Sequence, residues 1–96
     1  MQQIQFSGHN IEITPAIRDY VSKKFKKFKK HIDTITSVHV ILNVDKLRQI
    51  AEAKLHVPGI EIYAQTESDD MYKAIDALVE KLVRQLEKRK GKNAVR

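Results

Sequence analysis

The sequence predicts an α+β fold: a single β-α-β-β-β-α domain, its four-stranded sheet carrying two helices packed on one face. Three observations predict it. Apolar residues recur at helical spacing in two stretches, near residues 15–31 and 69–90. Between those stretches, three runs alternate apolar with polar residues, the period of a strand with one buried face. The length of 96 residues suits one domain and leaves little room for a second.

The elements follow in chain order. Ile4 and Phe6 share one side of a short first strand, and Gly8 is expected to end it. Thr14-Pro15 starts a helix: the Thr14 hydroxyl can accept from a free amide, and Pro15 at the first helical position loses no hydrogen bond. Ile17, Val21, Phe28 and Ile32 continue this helix to about residue 31, with Tyr20 and Phe25 at the margins of the stripe. Asp33-Thr34 breaks it.

Val38, Val40, Leu42 and Val44 then alternate with polar neighbours, as do Ala51, Ala53, Leu55 and Val57, and then Ile60, Ile62 and Ala64. Pro58-Gly59 marks a type II turn between the last two runs. The turn near Asp45–Arg48 contains neither Gly nor Pro, so its register stays open. Ser68 is expected to cap the last helix, with Asp69 and Asp70 in the first turn, where the helix dipole favours anions. Met71, Ile75, Leu78, Val79, Leu82 and Leu86 form its stripe, and Arg89, Lys90 and Gly91 are expected to end it. Domain boundaries follow: 1–91 for the domain, 92–96 for a short basic tail. Each strand has one apolar face, so both helices should cover the same side of the sheet. A helical crossover from the first strand to the second implies a parallel pair.

Composition narrows the function. With no cysteine, thiolate metal sites, disulfides and cysteine nucleophiles are excluded, which suits a reducing cytosolic location. No apolar run exceeds three residues, so no membrane-spanning helix or signal-peptide core is expected. His9, His31, His39 and His56 lack metal-ligand spacing. No phosphate-binding glycine loop or nucleophile motif occurs, so neither an enzyme nor a cofactor is expected.

Charge is more informative. The net charge is +6, and it is unevenly placed. Residues 14–32 carry seven bases against one acid, residues 33–80 four against nine, and residues 81–96 seven against one. Two basic segments flanking an acidic middle point to a polyanion, a solvated lysine face being the alternative. Within the run from Lys23 to Lys30, Lys23, Lys26, Lys27 and Lys30 fall opposite the apolar stripe. Lys24 projects close to that stripe, from where it can snorkel to the groove between the helices. On the last helix, Asp69, Asp76, Glu80 and Glu87 form one row, and Lys81, Arg84 and Lys88 another. A helix kept merely soluble more often interleaves its signs. A membrane-surface helix is disfavoured, because the apolar residues of both helices are needed to cover the sheet.

Three motifs add a resemblance. Residues 12–18 (EITPAIR), 70–76 (DMYKAID) and 81–86 (KLVRQL) resemble the bacterial ribosome hibernation promoting factor family, which includes the ribosome-associated inhibitor called protein Y. The resemblance covers essentially the whole chain. It implies a fold akin to the double-stranded RNA-binding domain, binding to the small ribosomal subunit and its rRNA in the tRNA/mRNA channel, and silencing of translation in non-growing cells. It implies RNA-binding roles for Arg18, Lys24, Lys27, Lys81, Arg84 and Lys88; Lys23 and Lys30 join them on charge and position alone. The basic ending at residues 92–96, with no acidic tail or second domain, resembles the short form of the family. That form implies that the factor favours inactive ribosome dimers together with a separate ribosome modulation factor; the sequence shows no dimerisation surface of its own, so a monomer off the ribosome is expected. The rival reading is a free-standing double-stranded RNA binder, disfavoured by Asp69-Asp70 where such domains usually place bases against phosphate.

Overall fold

The structure is a computed structural model that describes residues 4–26 and 35–94, with side chains through residue 88. Its elements are β1 (Ile4–His9), α1 (Pro15–Lys24), β2 (Ser37–Asp45), β3 (Arg48–Val57), β4 (Ile60–Ser68) and α2 (Met71–Ala94). The sheet order is β1-β2-β3-β4. β1 runs parallel to β2, with Ile4 opposite Val38, and β2, β3 and β4 form an antiparallel meander. The predicted fold class and pairing are those observed.

Alternation dictates which face is buried. Val38, Val40, Leu42, Ala51, Ala53, Leu55, Val57, Ile62 and Ala64 all turn inward. Onto them α1 brings Ile17 and Val21, and α2 brings Met71, Ala74, Ile75, Leu78, Val79, Leu82 and Leu86. Burying each large aliphatic side chain contributes about 1.5–3 kcal/mol, so the α2 stripe is the main fastening of the helical layer. α2 lies over β3 and β4, and α1 packs beside it, where Arg18 stacks over the Phe6 ring of β1.

Several boundaries differ from those expected. β1 continues through Gly8 to His9, and the chain turns at Asn10, whose φ is +59° and whose Nδ2 donates to the Val44 carbonyl. Asn tolerates this left-handed region better than most residues. Gly8 is instead required by close approach: a Cβ there would sit 2.5 Å from the Ile11 carbonyl oxygen. Thr14 caps α1 as predicted, accepting from the Ile17 amide at 3.2 Å. The α-helical hydrogen bonding ends at Lys24, earlier than about residue 31, and tightens to a 3₁₀ turn at residues 25–26. Phe28 and Ile32 lie outside the described residues. Phe25 is not marginal: it is fully buried.

The open turn resolves as a two-residue connection, with Asp45 paired to Arg48 and Lys46 at φ +58°. Arg48 holds this tip to β4 through two hydrogen bonds to Glu67, at 2.8 and 3.1 Å. Those bonds hold the Glu67 carboxyl below its ordinary range. Gly59, at φ +86°, makes the predicted turn between Val57 and Ile60. The cap of α2 is Asp70 rather than Ser68. β4 claims Ser68, while the Asp70 carboxylate accepts from the amides of Tyr72 and Lys73 at 2.7 and 3.4 Å. Gly91 does not stop α2, which continues to Ala94 and takes in part of the expected tail. One glycine inside a helix costs only about 1 kcal/mol relative to alanine, and no left-handed residue ends the helix there.

Candidate nucleic-acid interface

Contacts on two flanks fix how α2 is rolled about its axis. Toward α1, the Tyr72 ring meets Tyr20 edge-on, with centroids 4.7 Å apart. One turn later Asp76 accepts from the Tyr20 hydroxyl at 2.7 Å and from Lys24 Nζ at 3.3 Å. The bond to Asp76, reinforced by burial, raises the Tyr20 phenol above its ordinary value, so it remains a neutral donor. Toward β4, Lys81 Nζ donates to the Gln65 carbonyl at 2.9 Å, and Gln85 Nε2 to the Tyr63 carbonyl at 3.0 Å.

The sign segregation read from the sequence therefore has a spatial meaning. Asp76 faces the neighbouring helix, and at about 100° per residue Glu80 and Glu87 fall within roughly 40° of it. Lys81, Arg84 and Lys88 line the other flank, above the open edge of the sheet. Lys81 and Gln85, four residues apart, also cap outward-facing carbonyls of edge strand β4, which discourages pairing with another strand.

The six described candidate cations do not form one cluster. Arg18 lies on the flank of α1 away from α2, 5.2 Å above the Phe6 ring. Lys23 is exposed and pairs with Asp19 at 3.2 Å. Lys24 reaches the interhelical groove, as its snorkelling position predicts, and sits 5.4 Å from the Tyr20 ring centre. Lys81, Arg84 and Lys88 are brought together along a groove of about 570 Å³, whose other wall is Tyr63, Ala64 and Gln65. Lys27 and Lys30 lie outside the described residues.

Three participants escaped the sequence reading. Gln85 stands inside the KLVRQL motif, and its spacing of four from Lys81 was the available signal. Tyr63 and Gln65 read as outward-facing strand residues, and only the placement of α2 makes them part of a groove. On the outer sheet face, His39 bonds Ser7 and His56 faces Glu61. No cluster of three or more metal-ligating groups forms among the described residues. Nor, among them, is any helix long and apolar enough to cross a membrane.

Comparison with known proteins agrees with this architecture. The ribosome hibernation promoting factor of Klebsiella oxytoca is 53% identical over 90 residues, covering 94% of this chain and 95% of that protein. Its counterpart in Azotobacter vinelandii is 51% identical over 94 residues, covering 98% and 88%. Among solved structures, a ribosomal subunit interface protein from Coxiella burnetii superposes with a TM-score of 0.87 at 42% identity, covering 92% of this chain and 97% of that one. The N-terminal domain of Thermus thermophilus Protein Y gives 0.80 at 34% identity, covering 88% and 93%. A family model matches residues 4–94, so with its fold and its helical surface this chain belongs to the Sigma 54 modulation protein / S30EA ribosomal protein family.

Proposed function

We propose that this chain is a ribosome hibernation factor that binds the small ribosomal subunit, occupies the path of tRNA and mRNA, and so silences translation. The observation that carries the reading is the cationic row Lys81, Arg84 and Lys88, held apart from the acids of its own helix and set beside an open groove. Relatives named for ribosome hibernation, at about half identity over nearly the whole chain, support it. The action requires no catalysis. A rigid domain docks on rRNA phosphates, RNA shape supplies specificity, and the volume of the domain excludes other ligands.

A separate modulation factor completes the pairing of inactive ribosomes. In support, the core-facing side chains of both helices are committed to the sheet. Among the described residues, the exposed large apolar side chains are scattered, with Leu47 at one hairpin tip, Ile60 at the other, and Tyr63 and Tyr72 on different elements. A stable bridge between particles needs a contiguous interface of roughly 1,000 Å² or more.

Co-sedimentation with purified small subunits, with duplex RNA as the comparison, tests the proposal. The protein should pellet with subunits, and log K should fall against log salt with a slope of roughly −4 to −5 if about six cations meet phosphate. A slope shallower than about −2, or enrichment on duplex RNA alone, would contradict it. The double-stranded RNA reading is further disfavoured by the Asp70 carboxylate, which already occupies the amides at the start of α2.

A further inference from the structure

We propose that the open edge of β4 is a phosphate track. The backbone amides of Tyr63 and Gln65, with Lys81, Arg84, Gln85 and Lys88 of α2, hold successive phosphates of one RNA strand. This inference rests on the ribosome-binding reading and adds main-chain donors to the cationic row.

The register of the β3–β4 hairpin sets the direction of these amides. In a two-residue hairpin the residues flanking the turn, here Val57 and Ile60, exchange backbone hydrogen bonds, and every second pair along the ladder repeats the exchange. Leu55–Ile62 and Ala53–Ala64 are such pairs. Tyr63 and Gln65 fall between them and aim both N–H and C=O away from β3. The bonds from α2 agree: Gln85 reaches the Tyr63 carbonyl, and Lys81 the Gln65 carbonyl, from the open side. Neither amide has a partner among the described residues. At these two residues the acceptors are taken and the donors are open.

That asymmetry selects the ligand. A peptide strand pairing with β4 needs both the N–H and the C=O of each edge residue, and both carbonyls are occupied. A phosphodiester group offers only acceptors at its phosphate oxygens and carries the charge that the cationic row attracts.

Each bond from α2 also sets a side-chain donor beside an amide. Lys81 Nζ, 2.9 Å from the Gln65 carbonyl oxygen, stands next to the Gln65 N–H. Gln85 Nε2, 3.0 Å from the Tyr63 carbonyl oxygen, stands next to the Tyr63 N–H. Lys81 keeps two further donors and Gln85 one. The two donor pairs lie about 7 Å apart along the strand and about 6 Å apart along the helix, so helix and strand stay in step. Arg84 and Lys88 add charge along the same groove of about 570 Å³. The Tyr63 ring takes no part, because Ala64 next to it faces the core and the Tyr63 hydroxyl bonds Glu52 on the opposite face.

Nitrogen-15 NMR of the whole chain, titrated with hexauridylate and separately with inorganic phosphate, reads the two amides directly. Hexauridylate should move the Tyr63 and Gln65 amide protons downfield, and more than those of Ile62 and Ala64, which are spent on β3. Inorganic phosphate at the same phosphate concentration should move them less. Gln65→Pro deletes an N–H that the ladder does not use, at an edge position where proline is tolerated, and should weaken hexauridylate binding roughly tenfold. Gln65→Ala loses the carboxamide, keeps the amide and should bind as wild type does. Unmoved Tyr63 and Gln65 amides at saturation, or no binding of hexauridylate, would overturn the proposal. So would equal binding by a folded Gln65→Pro and Gln65→Ala, or an equal response to inorganic phosphate, which would make the edge a lone-anion site. If Gln65→Pro does not fold, the wild-type amide shifts decide. Small-subunit sedimentation judges the ribosome reading separately: loss of pelleting refutes that reading, and the amide shifts alone decide the track.

Discussion

Lys81→Glu combined with Arg84→Glu will weaken binding to the small subunit at least about tenfold, by removing two phosphate contacts and placing two negative charges in their stead. Both side chains are exposed on the β4 flank of α2. The only described fold contact among them is the Lys81 bond to the Gln65 carbonyl, at an exposed site where water can replace the ammonium. The thermal melt should therefore move by only a few degrees, on the order of 1 kcal/mol. The same charge reversal at Lys46 and Lys73, which are exposed but off the row, separates location from net charge. Equal loss in that control would mean that overall positive charge, not the α2 row, carries binding.

Phe25→Ala is expected to have the largest effect on folding. The ring is fully buried, at the point where α1 gives way to its 3₁₀ turn, within the core shared by both helices and the sheet. Truncating a buried phenylalanine to alanine costs about 3–5 kcal/mol, a large share of the 5–15 kcal/mol typical of a domain. For a chain of this length that lowers the melting temperature by roughly 12 °C or more. Calorimetry checks it; a drop below about 5 °C would place Phe25 at the rim.

Phe25 also marks where sequence reasoning stopped. An ideal α-helical wheel sets it at the edge of the Ile17–Val21 stripe, and the tightening after Lys24 goes unseen by that wheel. The strands were legible because each buries one face, so a period of two survives in Val38 through Val44 and in Ala51 through Val57. The parallel β1–β2 pair followed from the helix between them. Lys46 concealed its turn, since lysine gives no sign of a positive φ. Asp70 displaced Ser68 as the cap because the carboxylate bonds two amides next to a dipole that favours its charge. At the interface, the separation of acidic from basic rows was readable along α2. What each row faces was not, because it depends on which flank receives α1, and Asp76 with Tyr20 settles that only in three dimensions.

On the proposed function, the domain would sit where tRNA and mRNA lie. Binding of labelled tRNA to mRNA-programmed small subunits, measured while this protein is titrated to saturation, tests it most directly. Occupancy predicts that bound tRNA falls toward zero as the protein saturates its site, and that the Lys81→Glu, Arg84→Glu variant needs at least about ten times more protein for the same displacement. Undiminished tRNA binding on subunits saturated with the protein would contradict the account.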